Sequence, residues 1–464
     1  MSPPGFIVDV DHNPYLPVGG RDVSAIVTVT ANDQASSSAG PVLSAGPVLS
    51  AGPVSPGGPV SPEVPVPPAG PGDGGGSAEI IMVDCSGSMD SPPAKMTEAR
   101  AATSAAVDVL RDGVWFAIIG GTSLARPVYP PDGTMAAANP VTRAEAKRAV
   151  AALRANGGTA IGVWLRLARQ VFETSPATLR HAILLTDGKN QHETPERLDE
   201  AIALSEGYFS CDCRGVGTDW EVGEVRRIST GLLGTVDIVP DPAGLAADFE
   251  RMMRAAMSKR LPGVMLRVWS PQHSAVRFVK QVAPAIEDLT TRRTESGPRA
   301  GDYPTGAWAP GESRDYHVGV EVPCADIGQE MLAARISLVA SSPSGPEVIG
   351  QGLVPVTWTD DEALSTRISA RVAHYTGQAE LATAIRDGLE ARQDGDEELA
   401  TARLGKAVRL AHDAGNSETA RLLAKVVDVV DEATGTVRLK KKVEAADEMA
   451  LDTRSVRTVR VKRG

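Results

Sequence analysis

The fold is decided by residues 79–88, which read EIIMVDCSGS. The first five of these residues are mostly apolar, as is typical of a parallel strand that is buried on both faces. Three oxygen-bearing side chains follow at once, namely Asp84, Ser86 and Ser88. Ligands of open α/β sheets bind beside the carboxyl ends of the strands. We therefore predict that these three side chains lie at the functional rim of a parallel sheet.

Strands and helices alternate around this stretch, from residue 78 to about residue 260. The pattern predicts strands at residues 79–83, 115–119, 124–129, 180–185, 208–215 and 236–239, and helices at 94–112, 142–157, 161–174, 195–206, 222–230 and 243–259. Thr142 and Glu145 form a capping-box pattern at the start of the second helix, and Thr194 precedes Pro195 at the start of the fourth. This alternation predicts an α/β sheet with helices on both faces.

Two further side chains are expected at the same rim. Thr159 lies in a glycine loop just before a predicted helix, and Asp187 follows the strand that ends at Leu185. Hydroxyl and carboxylate oxygens are hard ligands that suit Mg²⁺, Mn²⁺ or Ca²⁺ rather than zinc. Ser and Asp at strand ends also form local turns or cap helices, which is the alternative interpretation. The joint presence of Thr159 and Asp187 favours a metal site.

This region resembles a von Willebrand factor type A (vWA) domain, which is doubly wound and Rossmann-like. The metal-ion-dependent adhesion site of that family reads D-x-S-x-S, then Thr, then Asp, and the matching residues are Asp84, Ser86, Ser88, Thr159 and Asp187. The resemblance implies that Ser86 and Ser88 bind Mg²⁺ (or Mn²⁺ or Ca²⁺) directly, and Thr159 directly or through water. Asp84 and Asp187 would act mostly through water. It also implies a protein partner that supplies an acidic residue to the ion.

The resemblance favours a non-enzymatic, divalent-metal-dependent protein-interaction module, acting as an intracellular adaptor or assembly factor. A metal-independent scaffold with a degenerate vWA fold is one alternative, and a metal-assisted hydrolase is another. A hydrolase requires a general base near the ion, and the sequence places no His or Glu there. His181 opens a strand and is expected to be structural. Asp219, after the next strand, is expected to cap a helix rather than to bind the ion.

The rest of the chain is expected to form other units. Residues 261–358 show the alternating pattern of a β-sandwich, and strands in residues 1–31 are expected to join it, so that the vWA domain (78–260) is inserted into the sandwich. Together these segments predict about seven strands, as in an Ig-like fold. A Pro/Gly/Ser-rich stretch, 32–77, is predicted to be a disordered linker. The pattern of residues 359–435 predicts a region of about three helices. Residues 436–464 are predicted to form a basic tail.

Composition limits the class of protein. The 464 residues carry a net charge of −11, which argues against a general nucleic-acid binder. No apolar stretch approaches the roughly 18 residues of a membrane span, and the N-terminus does not resemble a signal peptide. The four cysteines are too few for a disulfide scaffold, and Cys211 and Cys213 are expected to be small buried side chains. We therefore expect a cytoplasmic protein.

The C-terminal tail offers a second hypothesis about partners. Thr453, Ser455 and Thr458 are interleaved with arginines. The simplest expectation is a solvated basic end. A sharper one is that these hydroxyls are kinase targets at an accessible terminus, and that a phosphothreonine reader with an arginine cluster binds them.

Overall fold

The computed structural model describes residues 5–32, 76–259, 261, 263–342 and 345–460. The chain begins with three strands: β1 (Phe6–His12), β2 (Tyr15–Pro17) and β3 (Asp22–Ala31). The predicted disordered linker lies outside the described residues except at its ends. Ser77, at one of those ends, already belongs to the next strand.

An α/β unit follows. Its strands are β4 (Ser77–Asp84), β5 (Trp115–Gly121), β6 (Ala125–Tyr129), β7 (Ala136–Ala137), β8 (Leu179–Thr186), β9 (Ser210–Val216) and β10 (Val236–Val239). Its helices are α1 (Ala94–Val109), α2 (Pro140–Ala151), α3 (Ile161–Phe172), α4 (Pro195–Ser205), α5 (Val222–Gly231) and α6 (Leu245–Ser258). The strand order is β10-β9-β8-β4-β5-β6, with β6 antiparallel to β5 and the other neighbours parallel. The predicted α/β architecture is confirmed.

Strand β4 lies at the centre of this sheet because both of its faces are apolar. Ile80 and Met82 pack into the core beneath α3, α4 and α5, whereas Ile81 and Val83 pack into the core beneath α1, α2 and α6. All four side chains are almost completely buried. Burial of each such side chain stabilises the fold by roughly 1.5–3 kcal/mol. The central position holds the end of β4, and the polar residues after it, in a fixed place.

Helix α2 begins earlier than the sequence predicts. Asn139 is its N-cap: the Asn139 side chain accepts hydrogen bonds from the backbone N–H groups of Val141 and Thr142, and the Thr142 hydroxyl accepts one from the backbone of Asn139. The predicted Thr142–Glu145 capping box is therefore wrong, because Asn139 followed by proline is a stronger start signal. The predicted start of α4, with Thr194 as N-cap, is confirmed.

A β-sandwich is formed by the strands on both sides of the α/β unit. Its later strands are β11 (Met265–Trp269), β12 (Ala275–Ala283), β13 (Glu287–Asp288), β14 (Thr294–Gly297), β15 (Ala300–Pro304), β16 (Ser313–Glu321), β17 (Glu330–Ser342) and β18 (Gly345–Thr359). β1 and β3 join a five-stranded sheet through β16, and β2 pairs with β18 in a six-stranded sheet. The predicted insertion is confirmed. The count of about seven strands is wrong, because short strands such as β13 and β14 carry too little alternation to be recognised.

The last part of the chain is mostly helical. It contains α7 (Glu362–Ser365), α8 (Ala370–Gln393), α9 (Glu397–Asp413), α10 (Ser417–Val426), the hairpin β19 (Val427–Asp431) and β20 (Thr436–Leu439), and α11 (Ala445–Arg454). The expectation of a solvated basic tail is wrong for its described part. Arg454 and Arg457 bind the buried carboxylate of Asp237 in β10, at 2.9 and 2.6 Å. These cations hold residues 454–457 against β10 because they compensate that buried negative charge.

Two of the three hydroxyls proposed as kinase targets, those of Thr453 and Ser455, are not accessible. Thr453 and Ser455 are buried, and their hydroxyls donate hydrogen bonds to the backbone carbonyls of Met449 and Asp452, at 2.8 and 2.7 Å. The Thr458 hydroxyl donates to the carbonyl of Val282 at 2.6 Å. The premise of an accessible terminus is therefore wrong for Thr453 and Ser455 in the folded chain, whereas Thr458 is half-buried.

The cysteines fit the simple expectation. Cys211 and Cys213 are fully buried on one face of β9, with their sulfur atoms 3.9 Å apart and no disulfide between them. Their role as small buried side chains is confirmed. Over the described part of the chain, none of the helices has both the length and the apolar character needed to cross a bilayer.

Candidate metal centre

Three loops at the carboxyl edge of the α/β sheet bring the five predicted side chains together. The β4–α1 loop carries Asp84, Ser86 and Ser88, the loop before α3 carries Thr159, and Asp187 directly follows β8. The hydroxyl oxygens of Ser86 and Ser88 are 3.0 Å apart, and the Ser88 hydroxyl donates to Asp187 Oδ1 at 2.7 Å. The site therefore has the two carboxylates and three hydroxyls that the sequence predicts.

Gly188 shows how closely the hydroxyls converge. A Cβ atom at this position would lie 3.2 Å from Ser88 Oγ, 3.4 Å from Thr159 Oγ1 and 3.9 Å from Ser86 Oγ. The three oxygens therefore face one small space beside Gly188, and a side chain at residue 188 would contact all three. Such a cradle of neutral hydroxyls beside two carboxylates fits a small, hard divalent cation that keeps some of its water.

Asp84 is directed into the protein. It is fully buried, and its two carboxylate oxygens accept hydrogen bonds from the backbone N–H of Ser86 and from the Thr186 hydroxyl, each at 2.7 Å. Burial raises the pKa of Asp84 to about 6, although these hydrogen bonds oppose the shift. Because both oxygens already have protein partners, Asp84 shapes the D-x-S-x-S turn and supplies negative charge behind the hydroxyls.

The loop that carries Thr159 is hydrogen-bonded to the loop that follows Asp187. The backbone N–H of Thr159 donates to His192 Nδ1 at 3.2 Å, and the backbone N–H of His192 donates to the Thr159 carbonyl at 3.0 Å. The first free N–H groups of α3 are satisfied from the same loop, by Asn190 Oδ1 on Ile161 and by a carboxylate oxygen of Glu193. These contacts fix the Thr159 hydroxyl relative to Asp187.

Lys95 is a site residue that the sequence analysis missed. Its ammonium donates to Asp187 Oδ2 at 2.8 Å and to Asp219 Oδ2 at 3.1 Å. Burial favours the neutral amine, but the hydrogen bonds and charges of the two carboxylates outweigh burial and raise the pKa of Lys95. The expected capping role of Asp219 is wrong, because α5 begins three residues later, with Glu221 as its N-cap.

His192 also lies at the site, contrary to the expectation that no histidine is placed there. The His192 ring packs directly against Gly158, and a Cβ atom on residue 158 would overlap the ring. The surrounding cleft is lined by Ser86, Gly87, Ser88, Gly157, Gly158, Thr159, Gly188, Lys189, Gln191, His192, Thr218 and Asp219. The glycine at 158 was the only local signal that another group approaches this loop.

The donor set differs from the metal sites built by histidine and cysteine. Across the residues that the structure describes, no group of three or more His, Cys, Asp or Glu side chains is arranged to hold an ion. The rim relies instead on hydroxyls, with only Asp84 and Asp187 as nearby carboxylates of the predicted set. Such a set suits Mg²⁺ or a similar oxygen-binding cation.

Comparisons with known proteins agree with this architecture. Residues 78–238 match the family model described as von Willebrand factor type A domain, and residues 409–455 match the one described as von Willebrand factor type A C-terminal domain. A search of curated proteins gave no significant match.

Two solved structures are similar over the full length. A von Willebrand factor type A protein from Catenulispora acidiphila is 46% identical, with a TM-score of 0.87, and the match covers 99% of this chain and 98% of that one. The ArnB paralog VWA2 from Sulfolobus acidocaldarius is 13% identical, with a TM-score of 0.56 and 98% coverage of both chains, and so shares the fold. The chain belongs to the von Willebrand factor type A family.

Proposed function

We propose that this chain is a non-enzymatic, divalent-metal-dependent protein-interaction module that acts as an adaptor or assembly factor in the cytoplasm. The convergence of the Ser86, Ser88 and Thr159 hydroxyls around Gly188 is the observation that carries this proposal. These neighbouring hydroxyls are neutral, and only two carboxylates lie behind them, so the site carries little negative charge. A divalent ion bound there could therefore accept one more anionic ligand.

The residues divide into two roles towards the ion. The hydroxyls of Ser86, Ser88 and Thr159 would bind Mg²⁺ (or Mn²⁺ or Ca²⁺), and Asp84 and Asp187 would act mainly through water. When bound, the ion supplies a positive charge that attracts an acidic side chain of a protein partner. The chain itself orients the ligands, through the hydrogen bonds that join Ser88 to Asp187 and Thr159 to His192.

The contact of His192 supports a binding role over hydrolysis. Its Nδ1 lies 3.2 Å from the backbone N–H of Thr159, so in the neutral ring Nδ1 accepts this hydrogen bond and Nε2 carries the proton. The lone pair of Nδ1 is therefore engaged by the backbone of the Thr159 loop. A ring in this state donates from Nε2 and is a poor general base for a metal-assisted hydrolase.

The metal-independent scaffold remains the second candidate, because one contact favours it. Asp187 already has a cation, Lys95, at 2.8 Å. In this alternative the lysine neutralises the site by itself, and partner binding uses surfaces that do not respond to ions.

Ion binding and partner capture separate the two candidates. We expect Mg²⁺ to raise the melting temperature of the wild type, and Ser86→Ala combined with Ser88→Ala to abolish that rise. Ser123→Ala is the matched control, because it removes a hydroxyl from the neighbouring loop. Capture of partners by the immobilised chain is expected to require Mg²⁺ and to be lost with chelator. If capture by the double variant matched that of the wild type at saturating Mg²⁺, the scaffold function would be correct instead.

A further inference from the structure

Lys95 occupies an electrostatically costly position. Its side chain is only 5% exposed, and it lies in the first turn of α1. The amino end of a helix carries a partial positive charge, so a cation there is unfavourable. Removal of an ammonium from water is a further cost. Neither the helix nor apolar packing explains this residue, and its compensation comes from the carboxylates that it contacts.

The end of the Lys95 side chain lies against the loop that follows β9. Gly217, directly after β9, has a φ of +66°, and a Cβ there would lie 3.5 Å from Lys95 Cε and 3.9 Å from its Nζ. The end of the lysine side chain therefore runs along the backbone of this loop. Its ammonium joins Asp187, which is fully buried, to Asp219, whose side chain is 67% exposed.

Asp187 faces the ammonium and the hydroxyl cradle at the same time. Its Oδ2 accepts from Lys95, and its Oδ1 accepts from the Ser88 hydroxyl at 2.7 Å. A divalent ion held by Ser86 and Ser88 would thus share one carboxylate with a fixed positive charge only a few ångströms away.

We propose that Lys95 is a resident cation of the metal centre, which competes with the divalent ion for Asp187 and makes ion binding weak until an anionic partner is present. This inference rests on the proposed function. Like charges repel at such separations, so Lys95 lowers the affinity for the ion. An acidic ligand at the ion offsets that repulsion, and the ion and the partner therefore bind cooperatively. Lys95 is a positioning residue that sets this coupling.

The test is a Mn²⁺ titration of the full chain, with free Mn²⁺ measured by electron paramagnetic resonance. We expect Lys95→Met to bind Mn²⁺ about tenfold more tightly than the wild type, the size of effect that removal of one nearby charge produces. Lys95→Gln keeps a hydrogen-bond donor to Asp187 without the charge and is expected to behave in the same way. Lys147→Met is the matched control, because Lys147 also forms an ion pair, with Asp108 at 2.7 Å, but lies in α2 and does not line the cleft.

Acetate serves as the probe for the anionic partner. Acetate, compared with chloride at equal ionic strength, is expected to tighten Mn²⁺ binding by a larger factor in the wild type than in Lys95→Met. The Lys147→Met control is expected to show the wild-type factor.

A purely structural role of Lys95 predicts the opposite sign. Loss of the lysine would then loosen Asp187, and Mn²⁺ binding would weaken in both variants. If Lys95→Met does not fold, as judged by circular dichroism, Lys95→Gln decides the question alone. If the wild type binds Mn²⁺ and the Lys95 variants bind it no more tightly than Lys147→Met does, this inference is overturned and the proposed function stands. If neither the wild type nor any variant, Lys147→Met included, binds Mn²⁺, both are overturned.

Discussion

The stability of the α/β sheet is expected to fall as the pH rises from 7 to 9, because His181 loses a charge that the fold uses. His181 in β8 lies between acidic side chains of its two neighbouring strands. Its Nδ1 is 2.7 Å from Glu79 Oε2 in β4, and its Nε2 is 3.1 Å from Asp212 Oδ2 in β9. Both ring nitrogens face carboxylates, so the doubly protonated ring donates to both.

The size of the effect follows from the shift in pKa. Burial favours the neutral ring, but the charge of Glu79 and the hydrogen bond to Asp212 outweigh burial and raise the pKa of His181 from 6.5 to about 9. Each unit corresponds to about 1.4 kcal/mol, so the charged ring contributes roughly 3 kcal/mol to the free energy of unfolding. Because folding raises the pKa of His181, the full contribution to stability is present below pH 6.5, the pKa of the ring in the unfolded chain. The contribution is lost as the pH rises through about 9.

The assay compares the wild type with His181→Gln at pH 6.5 and pH 9.5. Urea unfolding is followed by hydrogen exchange of peptides from Leu179–Thr186, which reports on this sheet rather than on the β-sandwich. Glutamine has no charge at either pH. At pH 6.5 we expect the free energy of unfolding of the wild type to exceed that of the variant. This difference is expected to shrink by roughly 3 kcal/mol at pH 9.5.

The variant also controls for the titrating groups that do not contact His181. Glu287, whose pKa burial raises to about 7, changes in both proteins and cancels from the comparison. A difference between wild type and variant that stayed constant between the two pH values would refute the charged-ring assignment, because it would mean that His181 is neutral throughout.

Two other changes test the site and the C-terminal tail. Gly188→Ala is expected to weaken Mn²⁺ binding by about tenfold or more while the fold persists, because the new methyl group enters the hydroxyl cradle. The control is Gly223→Ala, since a Cβ at that position meets nothing within 4 Å. Equal Mn²⁺ affinities of the two variants would contradict the hydroxyl cradle. Arg454→Ala combined with Arg457→Ala leaves the carboxylate of Asp237 without these cations, and is expected to lower the free energy of unfolding by roughly 1–3 kcal/mol in urea denaturation. A variant as stable as the wild type would show that the tail docks without these ion pairs.

Much of the fold and of the site was predictable from local patterns. The apolar run of β4 identifies a strand buried on both faces, and the D-x-S-x-S turn must follow it at the carboxyl edge, because a chain leaves a strand only at its end. Asp187 follows from the same rule at the end of β8, whereas Thr159 was predicted from its glycine loop before α3 and from its match to the family motif. The alternation from Val23 to Ala31 predicts a strand that needs partners, and β1 and β16 are those partners.

Other features depend on side chains that meet only in the folded chain. Lys95 in a helix and Asp219 in a distant loop carry no spacing that relates them, and Asp237 is paired with Arg454, which lies 217 positions along the chain. Periodicity reports which face of an element is apolar, whereas the partner of a charge depends on how whole elements pack. The sequence by itself thus determined the α/β fold and the oxygen ligands at its rim. Only the tertiary structure decided that a buried lysine shares Asp187 with that rim and that Arg454 and Arg457 of the basic tail bind Asp237, because the partner of a buried charge is supplied by long-range packing.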